Sequence, residues 1–334
     1  MAYTDIDDPT AYFQANLHSG DGGTGQTLTF DGNSDLQLDL HWGKCRSEGG
    51  REWQVIDTVR GITKGLTTVT TAAEYTESTY VTAIGSNGYS IGQNNDNNKA
   101  GETYVSYNWK EQAGVMDIVT YTGNGSNRTI AHNLGVKPAV MVHKGRSNAY
   151  NWGVYHHALS PSNERSLNFN TTGAVNVDDG GVYYNSTDPT SSVFSLGTNV
   201  GYNANGATYV AYLFAEKKGY SKFSSYTGNG NADGTFVYTG FKPAFVLIKQ
   251  TNSGNIWELF DNKRSPSNLV DDYLSPDASD AETTGSSQSL DFLSNGFKPR
   301  ANASGLNGSG SSYIYMCFAE NPFTTSTGVP ATAR

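Results

Sequence analysis

Two cysteines are all that the 334 residues contain, Cys45 near the start and Cys317 near the end. A disulfide-stapled scaffold is excluded, and because the two fall in different parts of the chain they are read as free thiols. Charge is sparse as well, at 16% of residues, and it leans negative, with a formal net charge of −9. No run of lysine or arginine stands out, and a negative surface repels a phosphate backbone, so nucleic acid is not an expected partner. Apolar runs long enough to cross a bilayer are missing. The first residues, MAYTDIDDPTAYF, have neither the basic start nor the apolar stretch of a signal peptide, so neither membrane insertion nor export is expected.

The chain has instead 38 glycines, 12% aromatic residues and an abundance of Tyr, Thr, Ser and Asn, which is a β composition. Its apolar residues come in short runs, several of them alternating, separated by Gly or Asn turns, and no long amphipathic run at helical spacing occurs. Helices are thereby excluded as the main layer. The non-alternating runs 139–142 and 244–248 want cover on both faces, which two packed antiparallel sheets supply.

The pattern repeats three times. The strands beginning at Tyr104, Tyr209 and Tyr313 stand 105 and 104 residues apart, and Trp53, Trp152 and Trp257 stand 99 and 105 apart. Tyr121-Thr-Gly-Asn-Gly125 recurs as Tyr226-Thr-Gly-Asn-Gly230, again at 105. The reading is all-β: three tandem antiparallel β-sandwich modules of about 100 residues, within ordinary domain size. Boundaries fall at 1–12 for an N-terminal docking arm, then 13–114, 115–221 and 222–323 for the modules, and 324–334 for a tail. Units this long are expected to be beads, each with a private core. The acidic, Pro-broken arm is expected to order only on docking, and the Thr-rich stretch from Leu66 to Thr82 takes no firm assignment. The closing strand around Tyr212 and Phe214 is apolar on both faces and so belongs inside.

Four residues after each module tryptophan comes a polar position, Asp57, His156 and Asp261, and three further on Arg60, Leu159 and Arg264. Asp57 with Arg60, and Asp261 with Arg264, are read as structural pairs pinning a loop; a catalytic or ligand-binding acid is the other reading. The second module loses both partners together, as a pair exchanged for an apolar contact would. The tryptophans are read as core anchors in preference to sugar-stacking platforms. Ligand contact is better sought among loop tyrosines and asparagines, Tyr150, Tyr183, Tyr184, Tyr202, Asn203 and Asn205, whose rings and amides give rigid amphipathic area with hydrogen-bonding tips. His143, His156 and His157 share one module, but adjacent strand residues point to opposite faces and cannot chelate together. Asp178-Asp179 and Asp271-Asp272 lack the alternation of a calcium loop. No metal, cofactor or nucleophile–base arrangement is expected.

The Tyr-Thr-Gly-Asn-Gly openings, the Gly-Phe-Lys-Pro-Ala-Phe-Val run at Gly240 to Val246, the closing run from Tyr209 to Glu216, and YTDIDDPTAYFQ with TFDGNSDLQ near the start together resemble the tandem modules of structural proteins in marine tailed bacteriophages. The resemblance implies lectin-like, jelly-roll modules, a tail-fibre or other surface-exposed place in the virion after assembly in the host cytoplasm, and no enzymatic chemistry. The first module departs most, with Gln37-Leu38 where the others have Lys-Pro. The expected function is a non-enzymatic virion protein, a tail fibre or capsid-decorating adhesin, held by other virion proteins through its arm and contacting a host surface glycan or receptor. The alternatives are a glycan depolymerase, which needs a pair of carboxyls at defined separation, and a purely architectural virion protein. A thin string of modules would be expected to form a homo-oligomer, a trimer first.

Overall fold

The computed structural model describes residues 4–178 and 180–331; the first three residues of the arm, Asp179 and the last three residues of the tail lie outside the described residues. Antiparallel sheets make up the fold, and helix is confined to short turns such as Val200–Asn203 and Ser304–Asn307. In each repeat the opening strand (Phe13–Ser19, Met116–Thr122, Ser221–Thr227) pairs with the closing strand (Thr103–Trp109, Thr208–Phe214, Ser312–Pro322). The closing strand pairs in turn with a central strand (Leu40–Cys45, Val140–Gly145, Phe241–Gln250), and that with a fourth strand (Gln54–Asp57, Gly153–His156, Trp257–Asp261), beyond which the second repeat adds Arg165–Asn168 and Asn176–Val177. The order is the same three times. A smaller outer sheet covers each of these inner sheets, built on the pairs Gln26–Thr29 with Gly88–Ile91, Arg128–Ala131 with Val193–Leu196, and Val237–Tyr238 with Gly296–Pro299.

Alternation along the closing strand decides where the cores lie. In the second repeat Val210, Tyr212 and Phe214 point to one side and Ala211 and Leu213 to the other, and all five are fully buried. The odd-side residues join a core private to the repeat, under its outer sheet. The other side differs from the expectation of beads: Trp42, Trp53 and Trp109, Trp152 and Phe214, and Phe245, Trp257 and Phe318 belong to one continuous cluster drawn from all three repeats. At its centre the last aromatics of the three closing strands, Trp109, Phe214 and Phe318, meet edge to face with ring centroids 6.0, 5.7 and 5.9 Å apart. Three equal sides around equivalent residues mark a pseudo-threefold axis. The chain is a closed ring of three sandwiches on a shared core, not a string.

The ring is sewn at three seams by the same bonds. Each module tryptophan donates its indole N–H to a backbone carbonyl of another repeat: Trp53 to Ser275 at 2.9 Å, Trp152 to Thr67 at 2.7 Å and Trp257 to Asn168 at 3.1 Å. Each central strand carries a buried lysine that reaches the same way, Lys44 to the carbonyl of Ser279, Lys144 to that of Thr71 and Lys249 to that of Thr172. Burial pushes all three ammonium groups down to about 8. The Thr-rich stretch after Leu66 is therefore seam, its carbonyls spent on the neighbouring repeat.

At two seams an ionic cluster adds to this. Arg60 donates to Asp57 at 2.5 Å and to Glu74 at 3.0 Å, Tyr212 of the next repeat donates its hydroxyl to Asp57 at 2.7 Å, and Arg146 grips Glu74 through two bonds of 2.9 and 3.0 Å. Where the third repeat meets the first, Arg264, Asp261, Glu282, Tyr107 and Arg46 repeat the arrangement. Burial alone would raise the Asp261 carboxyl, but Arg264 and the Tyr107 hydroxyl hold it below the usual range.

The N-terminal segment is corrected too. From Thr4 on it lies against the body: Ile6 is buried in the central cluster, the Thr4 hydroxyl donates to the Lys218 carbonyl at 3.0 Å, and Tyr12 meets the ring of Tyr220 edge-on. Asp8, read as a break, caps the turn Pro9–Ala11 and accepts from Ser34. In the tail, Ser326 donates to Asp7, so the two end segments touch. With the string gone, so is the argument for a trimer that rested on it.

A shared core makes unfolding a single event. Phe214→Ala should cost about 3–5 kcal/mol, as core aromatic truncations do, and lower one cooperative denaturant transition of the whole chain; three separate transitions, with only one displaced, would restore the bead reading. At the seam, Asp57→Ala strands a buried guanidinium and should cost about 3–5 kcal/mol, whereas the fivefold exchange D57H, R60L, E74V, R146T and Y212M, which copies the remaining seam, should be nearly neutral in the same melt.

Candidate functional site

The six loop residues singled out from the sequence are all in the second repeat, and the structure divides them. Tyr184, Tyr202 and Asn203 are buried, Tyr150 and Tyr183 are half-buried, and Asn205 is exposed. Asn203 is a clamp: its amide donates to the carbonyls of Ser126 and Gly197, and its oxygen accepts from the Asn124 N–H. Asn307 does the same work in the third repeat, accepting from the Asn229 N–H and donating to the Asn231 and Ala301 carbonyls. This explains the Tyr-Thr-Gly-Asn-Gly motif. A side chain at Gly123 or Gly228 would strike the carbonyl of Ala204 or Gly308, and Tyr121 and Tyr226 stack on Tyr209 and Tyr313 at 5.2 and 4.9 Å. The first repeat has a counterpart the sequence reading missed, His18-Ser-Gly20-Asp21-Gly22, with His18 stacked on Tyr104 at 5.0 Å and Asn98 as the clamp.

Tyr150, Tyr183 and Tyr202 come together on a cleft of about 190 Å³ whose other walls include Asn151, Asn168, Asn176 and Asn199. Local sequence builds it in three steps. Asn199 caps the turn Val200–Asn203 by accepting from the Gly201 N–H at 2.8 Å, which turns Tyr202 inward. Gly153 on the fourth strand makes room, since a Cβ there would lie 2.0 Å from the Tyr202 oxygen. That oxygen is held 2.5 Å from Ser166 Oγ. Tyrosine rings beside four carboxamides, with no carboxylate in the wall among the described residues, suit a neutral, hydroxyl-rich ligand that stacks and exchanges hydrogen bonds.

The other repeats fill this place differently. At the register of Gly153 stand Gln54 and Glu258, and the Glu258 carboxylate lies against Gly305 of the short helix, facing the Gln288 amide. Burial, then the nearby Asp277 carboxylate, push Glu258 up to about 8, against the pull of Lys249 and Gln288; Asp277 itself is pushed up to about 6, by burial first. Both are raised in the manner of a general acid. Glu258 is wholly buried, however, and the contacts around it are internal.

The histidines also depart from expectation. His156 ends its strand, so His157 does not point away from it: both rings reach the third repeat, His156 to the Tyr315 carbonyl at 3.1 Å and His157 to that of Phe223 at 2.6 Å. His143 sits among Tyr184, Phe194 and Tyr202, and burial pushes it down to about 3. Among the described residues no three His, Cys, Asp or Glu side chains are placed to share an ion. Cys45 and Cys317 are both buried free thiols.

A family model described as a domain of unknown function, DUF7483, matches residues 8–322 and so runs through all three repeats. No curated protein and no solved structure matches the chain.

The buried acid has a pH signature. Glu258 keeps its proton in the fold up to about pH 8, while in the unfolded chain it ionises near an ordinary carboxylate value of about 4.3. The folded state thus holds more protons between the two, and this contribution to stability is present at low pH and lost as pH rises through that window. Glu258→Gln, the residue of the first repeat, should therefore gain on the native protein progressively from about pH 5 to pH 8 in denaturant melts. A difference that stays flat with pH would show that Glu258 is ionised in the fold.

Proposed function

The chain belongs to the DUF7483 family, a domain of unknown function, and we propose that it is a non-enzymatic attachment protein of a virion surface that binds a neutral host glycan through the cleft of its second repeat. The cleft carries this reading. It gathers three residues picked from the sequence for stacking and hydrogen bonding, Tyr150, Tyr183 and Tyr202, among four asparagines. The resemblance of the repeat motifs to structural proteins of marine tailed phages supports the virion setting. The N-terminal segment packs on the body and touches the tail through Asp7 and Ser326, so contact with other virion proteins is assigned to the surface these two segments form together, in place of a free arm.

The depolymerase reading is weaker, because the described residues of the cleft wall include no carboxylate and Glu258, a carboxyl raised into the working range of an acid, is sealed from a polymer. The test is incubation of the protein with polysaccharide from host cells. Retention on the polysaccharide without release of oligosaccharide is expected, with Tyr150→Ala weakening it about tenfold, in the range of losing one aromatic contact. Released oligosaccharide would establish the depolymerase, and failure to bind either polysaccharide or whole host cells would leave the architectural role.

A further inference from the structure

The seam between the second and third repeats lacks all five members of the cluster that closes the other two. His156 stands for the aspartate, Leu159 for the first arginine, Val175 for the glutamate, Thr251 for the second arginine and Met316 for the tyrosine. The backbone fixes the equivalence: the Val175 N–H donates to the Thr251 carbonyl at 3.0 Å, as Glu74 does to Arg146 and Glu282 to Arg46. Every exchange at the outer end shortens the side chain. What remains is an open cleft of about 490 Å³, walled in part by Leu159, Val175 and Thr251, the three residues that replaced Arg, Glu and Arg.

The same cleft contains Arg165. Its Nε is buried and has no hydrogen-bond partner, and Arg165 enters none of the ion pairs among the described residues. A guanidinium is always charged, and its fork matches a carboxylate. At the two closed seams the protein itself supplies that carboxylate, Glu74 or Glu282, to arginines. Here none of the described residues supplies it, in a chain of net charge −9. The rest of the wall offers the hydroxyls of Ser160, Ser225, Thr227 and Ser312 and the amide of Asn252.

We propose that this open seam is a second binding site, for a carboxylate-bearing sugar of the uronate class, in which Arg165 pairs with the carboxylate and the serine, threonine and asparagine side chains take ring hydroxyls. The cleft is of ordinary ligand-site size. It is separate from the Asn and Tyr cleft, and the inference does not depend on the attachment reading.

The test is calorimetric titration of the full chain with glucuronate, glucose and acetate at low salt. Glucuronate should bind at least tenfold more tightly than either of the others and weaken as salt is added. Arg165→Gln should remove that preference without moving the melting temperature, and Val175→Glu, which offers Arg165 an internal carboxylate, should block the site. Tyr150→Ala should leave glucuronate binding unchanged. Equal binding of glucose and glucuronate by the Tyr150→Ala variant, in which the first cleft is weakened, equal binding of acetate and glucuronate, an unaffected Arg165→Gln variant, or no binding by any of the three would each overturn the proposal.

Discussion

Everything in this fold leans on the contact of three rings, Trp109, Phe214 and Phe318, around one axis. Each sits on a strand that is buried on both faces, and that strand is central to its own inner sheet. Facing edges of aromatic quadrupoles can close a triangle without steric conflict. The three inner sheets thus bury their second faces against each other, which no single repeat could do alone. The outer sheets are left to make smaller cores of their own, and in the second repeat this local core carries the loops on which the Asn and Tyr cleft is built.

The seams show how a ring can hold buried charge. Lys44, Lys144 and Lys249 lie in apolar strands, where an ammonium without acceptors is costly. Each finds carbonyls in the turn of its own repeat and one from the neighbour. The tryptophan indoles use the same carbonyl-rich segments. The Asn and Tyr cleft is tied to a seam in this way: the Tyr150 carbonyl accepts from Lys144.

How much of this was legible depended on range. The period, the identity of the strands and the burial of Tyr212 and Phe214 follow from spacing and alternation, which are local. Asp57 beside Arg60 was legible because they stand three positions apart. Closure was not, because a period counts repeats without saying whether their faces meet. The signal available was the lysine recurring inside an apolar strand at the same register, a charge that a private core would have no means to satisfy. Of the candidate site, composition places Tyr150, Tyr183, Tyr202 and Asn203 alike in loops, and in the structure the first two are half-buried while Tyr202 and Asn203 are buried. Their burial is set by Gly153 and by the Gly123 turn, residues distant in sequence. The first repeat hid its clamp because His18 and Asp21 do by stacking and hydrogen bonding what tyrosine and asparagine do elsewhere.

The lone unmatched seam carries a consequence for how such a ring can change. In an assembly of three separate copies, one codon edits all three junctions at once, and an exchange such as Arg60 for Leu159 would have to be tolerated everywhere. Written as a single chain, the ring has three independently editable joints. Two can keep their ionic locks and hold the circle shut, while the third gives up its own and becomes a surface with a different purpose.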